Sequence, residues 1–129
     1  MRPIVLDLDG SVHLDGARML DRRAWQETLR FACTRRDLER FDATLPDDFG
    51  SAPVFFGSGD FHHLSYLLIR RAARRQPCRV VVFDNHPDNM RFPFGIHCGS
   101  WVSHAAALAG VQGIDVVGIT STDVGAAHL

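Results

Sequence analysis

Short apolar runs rich in Val, Ile and Phe alternate along the chain with stretches whose apolar positions recur every three or four residues. The runs are Pro3–Leu8, Pro53–Phe56, Arg79–Phe83 and Ile114–Ile119. Each is short and bounded by turn residues, so each reads as a strand buried in a parallel sheet. Three helices are expected between them. Asp21 can cap a first helix on which Trp25, Leu29, Ala32 and Cys33 recur at helical spacing. A second, from His63 to Arg75, carries Leu64, Leu67, Leu68 and Ala72; a third runs from Ser100 toward Leu108, with Gly110 placed to stop it. The acidic stretch from Asp42 to Ala52, containing Pro46 and Gly50, reads as a long loop. Strand and helix in repeated alternation predict an α/β fold of three layers, α/β/α, with right-handed crossovers and a parallel sheet inside.

Composition narrows this picture. A chain of 129 residues supplies one core of ordinary size, hence a single domain over 1–129. Hydrophobic residues at 46% and charged residues at 22% fit a soluble globular protein, and no run of eighteen apolar residues suggests a membrane span. Asp7 and Asp9 interrupt the amino-terminal apolar stretch where a signal-peptide core would have to lie. Cys33, Cys78 and Cys98 are odd in number and share no CxxC spacing, so reduced thiols in a cytoplasm are expected. A net charge of -1 gives no pull toward nucleic acid or anionic lipid, and neither is expected as a partner. The chain has no lysine, and its arginine cluster Arg70, Arg71, Arg74, Arg75 and Arg79 reads as the solvated face and tail of a helix.

In open parallel sheets ligands gather beyond the carboxyl ends of the strands. Two such ends here are rich in acids and imidazoles. Gly57-Ser58-Gly59-Asp60-Phe61-His62-His63 follows one run, and Asp84-Asn85-His86-Pro87-Asp88-Asn89 follows the next. Alternate side chains of an extended segment face one way, so Asp84, His86 and Asp88 can point into one volume. Two carboxylates that close repel each other unless a cation joins them. Oxygen donors with imidazole suit Mn²⁺, and also Fe²⁺ or Zn²⁺. His62 or His63, with Asp60, can complete the sphere from the neighbouring turn. The alternative is that the acids merely cap turns and the histidines decorate a helix start.

The order of these elements resembles the arginase and agmatinase (ureohydrolase) family, most strongly over residues 50–122. That family carries a Gly-Gly-Asp-His turn, then Asp-Ala-His-x-Asp after the next strand, then a His-Gly segment. Gly59-Asp60 with His62 or His63 looks like the first, Asp84-Asn85-His86-Pro87-Asp88 like the second, and His97-Cys98-Gly99-Ser100 like the third. The resemblance implies an arginase-like α/β metal hydrolase in which Asp84 bridges two Mn²⁺ ions. Asp88 and the histidine at 62 or 63 would bind one ion, His86 would bind the other, and His97 would lie near the substrate. It also implies hydrolysis of a guanidinium or amidine C–N bond by a hydroxide held between the ions. The small-molecule substrate stays open among arginine, agmatine, formiminoglutamate and other C–N bonds, as does assembly into a homo-oligomer. Ser58 and the inserted Phe61 depart from the family pattern and leave both histidines open, with His63 preferred for its place just inside the helix. The family's later Asp-x-Asp pair has no counterpart here, since Asp123 stands alone, so an incomplete sheet and an incomplete, weakly active site are expected.

Two other readings compete. Asp7-Leu8-Asp9-Gly10-Ser11 looks like the nucleophile motif of haloacid-dehalogenase-type phosphatases, with Ser58, Asp84 and Asp88 in supporting roles. That mechanism uses a lysine, which this chain lacks, and Asp7 and Asp9 then become strand-end acids that bind backbone or arginine. The second is a non-catalytic domain that binds one metal or none and serves in assembly. On that reading Trp101, Phe92 and Phe94 belong to an interface or to the core, and the core is expected.

Overall fold

A computed structural model describes residues 1–121 of the chain; Thr122 to Leu129, and with them Asp123, lie outside the described residues. Strand β1 (Ile4–Asp7) is buried along its whole length because it is paired on both edges. It lies parallel to β2 (Arg18–Asp21), with Leu6 opposite Leu20, and to β4 (Val54–Phe56), with Val5 opposite Phe55. A second parallel pair joins β5 (Cys78–Phe83) to β7 (Val111–Val117), and a two-residue antiparallel pair joins β3 (Ala32–Cys33) to β6 (Ile96–His97). The protein is therefore a mixed α/β fold with its parallel strands divided between small sheets. One core unites Ile4, Leu6 and Leu8 with Phe41, Leu67 and Trp101. No described helix is long and apolar enough to cross a membrane.

The helices follow the sequence pattern in part. Helix α3 (Ser65–Arg75) continues a 3₁₀ turn over Gly59–Leu64 and, with α4 (Trp101–Ala106), packs on the β5–β7 pair. At Gly110, which ends the α4 connection with φ of +90°, a side chain would press into the Ala73 carbonyl at 2.6 Å. Only glycine fits there. Strand β7 starts directly after it, three residues earlier than the apolar run suggested.

The expected helix from Asp21 to Cys33 does not form. Arg18 to Asp21 is a strand, and only Gln26–Leu29 is α-helical (α1). The chain turns at Phe31, which has φ of +65°, and Ala32–Cys33 becomes a strand. Phe31 donates its N–H to the Asp60 carbonyl and accepts from the Cys98 N–H, so distant partners outbid local helix propensity.

A helix absent from the sequence reading, α2 (Arg35–Asp42), is capped by the Thr34 hydroxyl and buries Leu38 and Phe41. It corrects the reading of the arginine cluster. Glu39 and Asp42 on α2 form ion pairs with Arg70 and Arg71 of α3, and Arg70 is 8% exposed. Arg74 and Arg75 are exposed, and Arg79 pairs with Asp115 at the surface.

Among the described residues β4 is not hydrogen-bonded to β5, so the sheet edge expected to join the two acid-rich turns is absent. Two open grooves lie there instead. One, of about 450 Å³, follows β4 from Val54 to Gly59; the other, of about 390 Å³, follows β5 from Val80 to Phe83; both reach His62 and Ser65.

Candidate metal centre

The turn after β4 is shaped by two small residues. Gly57 has φ of +26°, and a side chain there would meet the Phe61 ring at 2.6 Å. The Ser58 hydroxyl accepts from the Asp60 N–H and starts the 3₁₀ turn, which buries Phe61 and His63 and leaves His62 partly exposed between them.

His62 faces the turn after β5. Its Nδ1 lies 3.3 Å from Asp84 Oδ2 and 3.5 Å from Asp88 Oδ2. One donor atom from each of His62, Asp84 and Asp88 falls within 4.8 Å of the others, a geometry that suits a metal ion. The acids do not converge through strand alternation. Asp84 Oδ1 accepts from the His86 N–H at 3.0 Å, folding the segment into a turn, and Asp88 has φ of +51°. This left-handed backbone is uncommon outside glycine, though Asp tolerates it better than most residues. It turns the Asp88 carboxylate back toward Asp84.

The remaining expected residues are distributed as follows. His63 is not brought to the cluster: it is fully buried, Nε2 lies 2.7 Å from the Leu29 carbonyl and Nδ1 3.3 Å from the Cys98 thiol. Asp60 is turned to Arg30 at 2.8 Å. His86 is exposed beside the cluster, its Nδ1 3.6 Å from Asp84 Oδ1. His97 is outside it; its Nδ1 accepts from the Gly99 N–H at 2.9 Å and its ring meets Phe92 edge-on at 4.5 Å. Phe94 is 80% exposed and not in the core. Asp7 accepts from Arg23 and the Gly10 N–H, and Asp9 from Ser11 and the Ser58 N–H, the backbone-and-arginine role that the sequence allowed for them.

Electrostatics separates the two acids. Desolvation first, then the hydrogen bond to Asp84 and its repulsion, pushes the Asp88 carboxyl up to about 7, although the Trp101 N–H pulls the other way. Burial opposes charge on Asp84 too, but hydrogen bonds from Asp88 and the His86 amide, with attraction from both histidines, hold it below the ordinary carboxylate range. Burial lowers His62, against the attraction of Asp84. A neutral imidazole, one carboxylate and one carboxyl sharing its proton with that carboxylate is what such a donor set becomes without a cation.

The sequence pointed to no role for Trp101 or Cys98 at the site. Trp101 is 1% exposed and donates Nε1–H to Asp88 Oδ2 at 2.9 Å. A buried indole N–H needs an acceptor, and that requirement was the available signal. Cys98 is tied to the Gly59 and Asp60 carbonyls, and burial raises its thiol.

Compared with known proteins, the chain is 35% identical over 92 residues to an uncharacterised protein of Thermotoga maritima, a stretch covering 71% of this chain. The same stretch is 36% of the Thermotoga protein, so the chain spans about a third of that relative. No family model and no solved structure matches the chain.

Proposed function

We propose that His62, Asp84 and Asp88 bind a divalent cation, best Mn²⁺, in an arginase-like hydrolase acting on the C–N bond of a small guanidino or amidino compound. The observation that carries this reading is the convergence of these side chains from the ends of two different strands, β4 and β5, within 4.8 Å. The order Gly-x-Gly-Asp, Asp-x-His-x-Asp and His-x-Gly supports it.

The residues fit the ion. His62 offers a neutral nitrogen, Asp84 a standing charge, and Asp88 a carboxyl whose proton a cation would displace. His86 lies adjacent, its Nδ1 3.6 Å from Asp84 Oδ1, and is the candidate for a fourth donor. A divalent ion supplies Lewis acidity and lowers the pKa of water bound to it. His97 accepts at Nδ1, so the neutral ring carries its proton on Nε2 and can donate it to a substrate.

The finer architecture belongs to the same proposal: a three-layer arginase-like sheet of which these strands are a part. Two observations support it. Among the described residues β4 and β5 each have an unpaired edge along these grooves, and the face of β5–β7 away from α3 and α4 exposes Val81, Phe83 and Val117. The donors among the described residues suffice for one ion, so the 129-residue chain turns over slowly beside a two-metal enzyme. Elemental analysis after Mn²⁺ loading, with urea release from arginine and agmatine, tests both parts. Stoichiometric Mn²⁺ with slow release is expected; a chain that retains no Mn²⁺ contradicts the proposal.

A further inference from the structure

We infer that Trp101 is a positioning residue that sets the geometry of Asp88 and His62 together. The inference rests on the metal reading of that site. Trp101 opens α4 and is the largest fully buried side chain described. Its ring touches two of the three donors, which arrive from different strands. Nε1–H donates to Asp88 Oδ2 at 2.9 Å, and the ring lies 5.0 Å from that of His62 at a tilt of 51°.

The backbone around it holds Asp88 as well. The Val102 N–H donates to the Asp88 carbonyl at 3.0 Å, so consecutive residues of α4 grip the main chain and the side chain of the same aspartate. The Met90 N–H donates to the Gly99 carbonyl at 2.9 Å, and Ser103 Oγ donates to the Met90 carbonyl at 3.3 Å. Residues 88–90 are thereby docked onto the start of α4. The left-handed conformation of Asp88 is sustained by this bracket, since strained backbone persists where its surroundings over-determine it.

An N–H on Oδ2 occupies one lone pair and fixes the carboxylate rotamer; the other Oδ2 lone pair and Oδ1 remain for a cation. Outer residues that orient metal ligands in this way commonly change affinity by 10–100-fold when lost. The ring face restricts His62 at the same time. Hydrophobic burial alone would not require the N–H to point at a ligand.

The test uses the full chain and Mn²⁺ as the probe. Trp101→Phe keeps an aromatic ring beside His62 and deletes the N–H; Mn²⁺ affinity by calorimetry should fall about 10-fold or more. A core change far from the site, Phe41→Leu, should lower the Tm and leave the affinity unchanged. If Trp101→Phe is folded by circular dichroism and binds Mn²⁺ as the parent does, the inference is overturned while the metal reading stands. A parent chain that binds no Mn²⁺ overturns both. Should Trp101→Phe fail to fold, Trp25→Phe leaves Trp101 as the single tryptophan at an unaltered site. Its emission should be quenched by Mn²⁺ with the calorimetric midpoint, and emission indifferent to saturating metal overturns the placement of Trp101 at the donors.

Discussion

The turns that follow β1 and β5 each present two nearby aspartates at the carboxyl end of a parallel strand, yet they solve the problem of that charge in opposite ways. At β1, Asp7 is matched by Arg23 at 2.8 Å and by the Gly10 N–H, while Asp9 takes donors from Ser11 and Ser58. The protein itself supplies the positive counterpart. At β5, Asp84 and Asp88 face each other and a neutral imidazole, and the Asp88 carboxyl rises to about 7 because burial and Asp84 both oppose its charge. A pair of acids whose charge is opposed in this way is where the proposed cation would sit. The motif alone does not separate these turns; the Arg23 contact at the first and the facing carboxyls at the second do.

Breaking the second turn should have the largest effect. Asp84→Ala is expected to abolish Mn²⁺ binding, because Asp84 carries the standing charge of the site; elemental analysis of the dialysed protein measures this. The same change at the first turn should do something different. Asp7→Asn should lower the Tm by weakening the Arg23 contact and leave Mn²⁺ stoichiometry intact, and loss of metal in Asp7→Asn would erase the distinction between the turns.

The adjacent histidines sharpen the contrast. His62→Ala should weaken Mn²⁺ by more than about 100-fold, beyond the usual effect of a supporting residue. His63→Ala removes the partner of the Leu29 carbonyl and should cost about 1–3 kcal/mol of stability while Mn²⁺ still binds. Calorimetry and thermal melts run on both variants test the assignment, and the reverse pattern would move the ligand to His63.

The smallest effect is a pH trend. Folding raises the Asp88 carboxyl from 3.8 to about 7, so between those values the folded chain keeps a proton that the unfolded chain has lost. That stabilising contribution is present at low pH and is lost as pH rises through about 7. Asp88→Asn lacks it. In metal-free buffer the Tm of Asp88→Asn minus that of the parent should grow from about pH 5 to about pH 8, and a flat difference would mean that Asp88 is not desolvated against Asp84.

Much of this was legible in the residues. The positions of β1, β4 and β5 and most of α3 follow from runs of Val, Ile, Leu and Phe and from helical spacing, but only β1 is buried along its length as those runs suggested, while Phe55, Val81 and Phe83 are exposed. What escaped depends on partners distant in sequence. Phe31 leaves the helix because of Asp60 and Cys98, and α2 was lost in a stretch so charged that only Leu38 and Phe41 mark its apolar side. Without α2, nothing placed Glu39 and Asp42 beside Arg70 and Arg71, and these arginines read as solvated. At the site, Asp84 and Asp88 were marked by their spacing, but their convergence comes from a turn and a left-handed residue that the sequence did not announce. The preference for His63 missed because the 3₁₀ turn buries that residue and leaves His62 facing the acids.

The most direct test of the central claim is a count of Mn²⁺ per chain. The protein is stripped with chelator, reloaded, dialysed and analysed alongside Asp84→Ala, Asp88→Ala and Asp7→Asn. One retained Mn²⁺ in the parent and in Asp7→Asn, with none in the two changes at the β5 turn, is the predicted result. Retention that is indifferent to Asp84 and Asp88, or a parent chain that keeps no metal, would contradict the account.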